Sequence, residues 1–375
     1  MEFKKLTSRF RQFGGLRLVR EYAKLGVLGI GVKAFFRCLV KRESFKGIYP
    51  EILKKVEPFL EQKYAPVVQE FKKSSSSSRF EHKRNKVVWF CWLQGMEDAP
   101  DIVRVCYHSL TRLTTYRLQV IDGKNWRQFV ELPEYVVRKW EKGRIPAANF
   151  SDLLRLELLI KYGGTWIDST VLCTGGSGLM VQGCPSGESA HARDNSSKFG
   201  SPLAQSQTSS FKFLDADLFL FQYTPEGTTR GISISNWFIT SCTNNEVLMA
   251  VRDMLYAYWK DFDCTLDYYM FHPFFEIVAR EYPEQVGKMP YGSSQRSIAL
   301  MRHWNEPFNQ EQWDKLVSKV AFHKLSHRVS EELKNNKGNY YNYIVKFNGS
   351  CVPLVASDQR SSERLRVKDS ITVKG

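Results

Sequence analysis

Long apolar runs are missing from this 375-residue sequence, and so is any close pairing of cysteines or histidines. The best apolar stretch, Leu25–Val40 (LGVLGIGVKAFFRCLV), is interrupted by Lys33 and Arg37. It falls short of the roughly 18–20 residues that a spanning helix needs. Eight cysteines, at 38, 91, 106, 173, 184, 242, 264 and 351, are scattered with no CxxC pair and no cysteine–histidine cluster of metal spacing. That excludes a zinc module or a disulfide scaffold and reads as reduced, mostly buried thiols in a cytosolic compartment. Met1–Gly15 is basic and mixed, without an apolar core or a small-residue cleavage site, so no signal peptide is expected there. No internal repeat is present. Acidic charge is scarce at one end: residues 1–86 carry 21 Lys/Arg against 8 Asp/Glu, whereas the rest carry 33 against 31. A protein that wraps nucleic acid spreads its basic residues through the fold. A basic terminus on a nearly neutral body instead suits an anionic membrane surface.

What is present speaks for a folded body. With 43% apolar content and 25 Phe, 17 Tyr and 9 Trp, the chain buries at least one large core and is not disordered throughout. Residues 1–73 read as a series of helices, with Pro only at 50, 58 and 66. On a helix, Lys33, Arg37 and Lys41 form one cationic stripe opposite Phe35, Phe36, Leu39 and Val40. Such a helix lies in a membrane interface or packs on the body with a solvated basic face. Ser74–Ser78 is a flexible break, so residues 1–78 are expected to form a basic helical segment distinct from a body at 79–348.

Val87–Leu93 (VVWFCWL) has the continuous apolar, β-branched and aromatic character of a strand buried on both faces. A helix is expected over Ala99–Arg112, with Asp98 as its cap, and a second strand over Tyr116–Asp122. Strand, helix and strand in this order open a parallel α/β sheet. A helix follows at Phe150–Tyr162, with Ser151 or Asp152 near its start and Gly163-Gly164 as its stop, then a strand over Thr165–Leu172. Gly175–Ser210 loses periodicity, with 15 Gly or Ser in 36 positions, and reads as a mobile insertion. Strands are expected over Phe211–Tyr223 and Ile232–Thr240, and helices over Glu246–Asp261 and Tyr268–Glu281. Residues 349–375 form a polar tail.

The chemistry concentrates in Phe150–Thr174, FSDLLRLELLIKYGGTWIDSTVLCT. A carboxylate at the end of a buried strand, here Asp168, is held rigidly and suits a hard cation. Ligands of α/β sheets gather at such strand ends. Three residues apart on one helix, Arg155 suits a phosphate or a nucleobase and Asp152 a ribose hydroxyl; alternatively Asp152 caps the helix and pairs with Arg155.

SDLLR…KYGGTWID resembles the sugar-nucleotide signature of GT-A glycosyltransferases, in the branch holding the family 32-like and capsular polysaccharide synthesis enzymes. Three further blocks resemble theirs in order: KVVWFCWLQGMEDAPDIV at Lys86–Val103, ISNWFITS at Ile234–Ser241 and FHKLSHR at Phe322–Arg328. The resemblance covers roughly residues 86–330. It implies a GT-A-like, Rossmann-related α/β fold that binds a nucleotide-diphospho-sugar. It also implies a hexosyl transfer to a glycan hydroxyl, with retention at the anomeric carbon. Asp152 and Arg155 would contact the donor nucleotide, Gly163 and Gly164 would let the chain turn close to it, and Gln94 would reach the base. Asp168 would help bind Mn²⁺ or Mg²⁺ on the diphosphate. Thr170 stands where a second Asp is usual and brings no charge. His323 resembles a late histidine that reaches back to the diphosphate or metal, and His272 is a weaker counterpart inside an aromatic run. Asn236 and Trp237 would line the acceptor side.

Asp215-Ala216-Asp217 spells Asp-x-Asp literally but lacks the upstream helix and glycine pair, so it is expected to open a strand facing solvent. The implied partners are a nucleotide sugar, a glycan acceptor that is lipid-linked if the enzyme works at a membrane, and the anionic inner face of the cell membrane. A non-catalytic membrane-associated relative with a decayed Asp-x-Asp is the alternative reading.

Overall fold

The computed structural model describes residues 15–24, 28–29, 32–33, 45–75, 80–174 except 112 and 114, 212–224, 233–265 and 270–349. The interfacial stripe of residues 34–41, the insertion at 175–210 and the tail beyond 349 lie outside the described residues.

Five strands form the central sheet: β1 (Val87–Cys91), β2 (Arg117–Ile121), β3 (Gly164–Asp168), β5 (Leu218–Gln222) and β6 (Ile234–Ser241), in the order β2-β1-β3-β6-β5. β1 pairs parallel with both β2 and β3, whereas β6 runs antiparallel to β3 and to β5. The fold is α/β, as the sequence predicts, but the sheet is mixed rather than wholly parallel. Alternation along β1 explains its unbroken apolar run. Val87, Trp89 and Cys91 enter one buried cluster, and Val88 and Phe90 enter a second on the opposite face.

The first cluster is covered by α2 (Phe45–Ser75), α4 (Glu134–Glu141), α5 (Ala147–Tyr162), α6 (Glu246–Asp261) and α7 (Phe271–Glu281). The second takes α3 (Asp101–Leu110), α8 (Gln310–Val317) and α9 (Tyr340–Gly349). Tyr22, on α1 (Leu16–Lys24), also reaches the first cluster.

The helix α2 is part of this body. Val56, Leu60, Tyr64 and Val68 recur every four residues and are all buried, so one stripe of the helix faces α6 and α7. Tyr64 meets Phe274 edge-on at 5.6 Å, and its hydroxyl donates to Asp261 at 3.0 Å. Each such buried side chain contributes about 1.5–3 kcal/mol. Pro58 and Pro66 fall inside this single 31-residue helix, on its exposed side, where water can satisfy the carbonyls that lose their amide partner.

Two expected caps are corrected. α3 starts after Pro100, with Asp98 in the preceding turn, and α5 starts after Pro146, four residues before Ser151. Asp152 therefore sits inside the helix and caps nothing. The strand expected over Thr165–Leu172 is broken: β3 ends at Asp168, Ser169 and Thr170 turn, and β4 (Val171–Cys173) leaves to pair antiparallel with β7 (Phe322–Lys324) in a separate two-stranded sheet. The start of the strand expected over Phe211–Tyr223 is likewise a helical turn, Lys212–Asp215.

Cys91, Cys106, Cys173, Cys242 and Cys264 are buried and form no disulfide. Among the described residues no helix is long and apolar enough to cross a membrane.

Candidate active site

The parallel strands β1, β2 and β3 end level with one another: Cys91 is in register with both Ile121 and Asp168. From the other direction β6 arrives antiparallel and brings Asn236 to the same end. The Asp168 carboxylate stands at this edge, with its side chain 26% exposed. Trp166 Nε1 donates to its Oδ1 at 2.9 Å, and an Arg155 Nη2 lies 3.5 Å from the same oxygen. Lys324 Nζ donates to Oδ2 at 2.7 Å and to Thr170 Oγ1 at 2.8 Å. Burial acts to raise the Asp168 carboxyl, but Lys324 and Arg155 outweigh it and hold the group below the ordinary carboxylate range.

Behind Asp168 lies a deeper layer. Arg155 and Asp152 have side chains only 6% and 5% exposed and stand 3.4 Å apart. The Arg155 guanidinium also donates to the carbonyls of Asn236 and Ser151 and sits over the Trp166 ring, 4.9 Å from its centroid. Asn236 Nδ2 donates to Asp152 Oδ1 at 2.8 Å. Burial first, with help from the Asp168 charge, pushes Asp152 up to about 7 against the opposing pull of Arg155 and Asn236. Asp152 and Arg155, expected to touch the nucleotide, are thus committed to protein partners, and Arg155 in turn faces Asp168.

Not every expected site residue comes to this edge. Gly164 opens β3 at its opposite end, four residues from Asp168 and about 13 Å away along the strand, and Gly163 lies one residue further. Both have positive φ, 66° and 91°, and a Cβ on Gly164 would stand 2.4 Å from the Val87 carbonyl. Their smallness lets α5 turn into a strand packed against β1, a structural duty rather than a ligand contact.

Trp237 points away from Asn236 into the second cluster, stacked on Phe221 at 4.7 Å. His272 is buried in α7 beside Phe271. His323 is wholly buried; its Nε2 is 3.0 Å from Thr174 Oγ1, and desolvation lowers its pKa to about 4. It faces the opposite side of β7 from Lys324, which takes the position against Asp168 that was expected of the histidine. Gln94 is exposed in the turn that extends β1 past Asp168, so it lies at the same end of the sheet as that carboxylate.

Lys324, Trp166 and His327 are the residues that sequence reasoning missed. His327 meets Trp92 edge-on at 5.3 Å. Burial first, then Arg328 and Lys324, depress its pKa, while Asp168 acts in the opposite sense. The signal was available in FHKLSHR, where adjacent residues of a strand must face opposite ways.

A divalent ion fits this set poorly. The two oxygens of Asp168 already face two cations, and the Thr170 hydroxyl accepts from Lys324. Among the described residues no group of three His, Cys, Asp or Glu could hold a metal ion. Asp215 and Asp217 are no substitute. They stand at the far end of the sheet, where Asp217 pairs with Arg84 at 2.6 Å and Asp215 accepts from the Tyr116 hydroxyl at 3.1 Å.

A solved structure titled PaToxG Glycosyltransferase is similar at 12% identity, covering 78% of this chain and 97% of that chain, with a TM-score of 0.33. None of the curated proteins matches. The profile of the capsular polysaccharide synthesis protein family matches residues 38–182 and 203–344. That span takes in α2, the Asp168 edge and the β7 block carrying Lys324, and the chain belongs to the capsular polysaccharide synthesis protein family.

Proposed function

We propose that this chain is a GT-A-like glycosyltransferase that moves a sugar from a nucleotide-sugar donor to a hydroxyl of a capsular or other surface polysaccharide. The observation that carries the reading is the Asp152–Arg155–Asp168–Lys324 array at the carboxyl ends of β1 and β3, its inner pair buried and its outer pair within reach of solvent. This is the end of an α/β sheet where ligands gather. Transfer breaks the bond between the anomeric carbon and the diphosphate, and negative charge grows on the departing oxygens. Fixed cations aimed at that charge stabilise the transition state, and a rigid seat aligns donor and acceptor. Lys324, with Arg328 in the loop that follows β7, supplies positive charge at the mouth. Arg155 and Trp166 hold the Asp168 carboxylate in one orientation. Retention at the anomeric carbon is the stereochemical expectation, read by NMR of the first-formed product.

The working place proposed is the inner face of the cell membrane, on a lipid-linked acceptor. The surplus of basic residues in 1–86 supports it, because each Lys or Arg near an anionic surface contributes about 1 kcal/mol. Sedimentation with anionic liposomes at low salt checks this, and a full-length chain left in the supernatant would refute it. The enzymatic reading is tested by offering a panel of nucleotide sugars and following donor hydrolysis and binding. Binding of one donor with slow hydrolysis is expected; no binding to any of them favours the non-catalytic alternative.

A further inference from the structure

We infer that Lys324 is the cation that receives the donor's diphosphate, so that nucleotide binding at Asp168 needs no divalent ion. This rests on the glycosyltransferase reading and deepens it. Three observations converge on the lysine. It is built into place: Val171, Leu172 and Cys173 of β4 are in register with Lys324, His323 and Phe322 of β7, and the amide of Leu325 donates to the Thr170 carbonyl at 2.8 Å. The segment that follows the Asp168 turn is therefore the one that fixes the lysine's backbone.

Its ammonium then bridges the two motif side chains that would otherwise ligate a metal, Asp168 Oδ2 at 2.7 Å and Thr170 Oγ1 at 2.8 Å. An ammonium has three N–H donors, and these bonds use two, leaving one for a phosphate oxygen. The side chain is 21% exposed, so a ligand at the edge can reach it.

The third observation is the charge on the other side of Asp168. With Arg155 Nη2 3.5 Å from Oδ1, a single carboxylate already serves two cations. A divalent ion added there would have to compete with the Lys324 ammonium at one Asp168 oxygen and the Arg155 guanidinium beside the other. A diphosphate meets the opposite situation: its charge is complementary to the lysine, and the two cations mask the carboxylate that would repel it.

The experiment is calorimetric titration of the full chain with UDP, GDP, CDP and ADP, and with the matching nucleosides, in EDTA and in Mn²⁺. The expected result is one preferred diphosphate bound with affinities that agree within about twofold in the two buffers. Lys324→Met should weaken that diphosphate by about 10- to 100-fold, the range for a charged hydrogen bond, and leave the nucleoside unchanged. Lys324→Arg should recover part of the loss. The nucleoside serves as control for folding, since a collapsed site would lose both ligands. Diphosphate binding by the wild type only when Mn²⁺ is present overturns the inference while leaving the transferase reading intact. Equal loss of nucleoside and diphosphate in Lys324→Met overturns it as well. Failure of the wild type to bind any nucleotide in either buffer removes the transferase reading, and the inference falls with it.

Discussion

Asp168-Ser169-Thr170 and Asp215-Ala216-Asp217 stand at opposite ends of one five-stranded sheet, and their surroundings differ accordingly. Leu218 of β5 and Gly164 of β3 are both in register with Ser241 of β6, so the second tripeptide sits where the strands begin and the first where they end. At the beginning, Asp217 and its partner Arg84 are 62% and 61% exposed, an ion pair that water largely screens. At the end, Asp168 is backed by Trp166, Arg155 and Asp152 and faced by Lys324. The tripeptide closer to the Asp-x-Asp spelling is the one with less to hold it. Position on the sheet, rather than the letters, decides which carboxylate is oriented for chemistry.

Changing each partner in turn tests that contrast. Arg155→Met should cost the most, about 3–5 kcal/mol of stability, because it strands two carboxylates beside an empty charge site. Denaturant unfolding measures it, and a loss under about 1 kcal/mol would mean the deep layer is not an electrostatic unit. Asp168→Asn should lower transfer by about 10²–10³-fold with a much smaller change in stability. Initial rates with the identified donor check this, and unaltered turnover would return attention to the other end of the sheet.

A smaller effect concerns pH. Asp152 has a folded-state pKa near 7, raised from the ordinary carboxylate value near 4, so the folded chain holds a proton that the unfolded chain releases. Its contribution is complete below about pH 4 and is lost as pH rises towards 7. Asp152→Asn cannot titrate, so its melting temperature relative to wild type should climb across that window; a flat difference would disprove the assignment. The smallest effect belongs to the double substitution Asp215→Asn with Asp217→Asn, expected to change stability by less than about 1 kcal/mol and transfer by less than about twofold.

The parts legible in the sequence were those set by local pattern. The apolar run of β1, the bounds of Glu246–Asp261 and the solvent-facing Asp215 and Asp217 each follow from periodicity or composition. What could not be read was partnership. Thr165–Leu172 looks like one strand because Ile167, Val171 and Leu172 are apolar, yet the chain changes sheets at Ser169, and only β7, some 150 residues later, explains why. His323 drew attention as an imidazole in the right block, while its neighbour Lys324 faces Asp168, a choice made by strand register. The break at Ser74–Ser78 suggests a helical segment joined to the body, and the partners of its stripe Val56–Val68, on α6 and α7, are far away in sequence.

The contact between Asp168 and Lys324 spans 156 residues. A ribosome delivers the chain from the amino end, so β1, β2 and β3 with their helices emerge well before β7. During that interval the Asp168 carboxylate has Arg155 and Trp166 beside it but no lysine in front. Closing so long a loop is among the later and slower steps of folding. The Asp168–Lys324 contact is therefore completed only when the carboxyl-terminal third has been synthesised and has docked, so a nascent chain arrested before residue 324 carries the fold's scaffold without the lysine that faces Asp168.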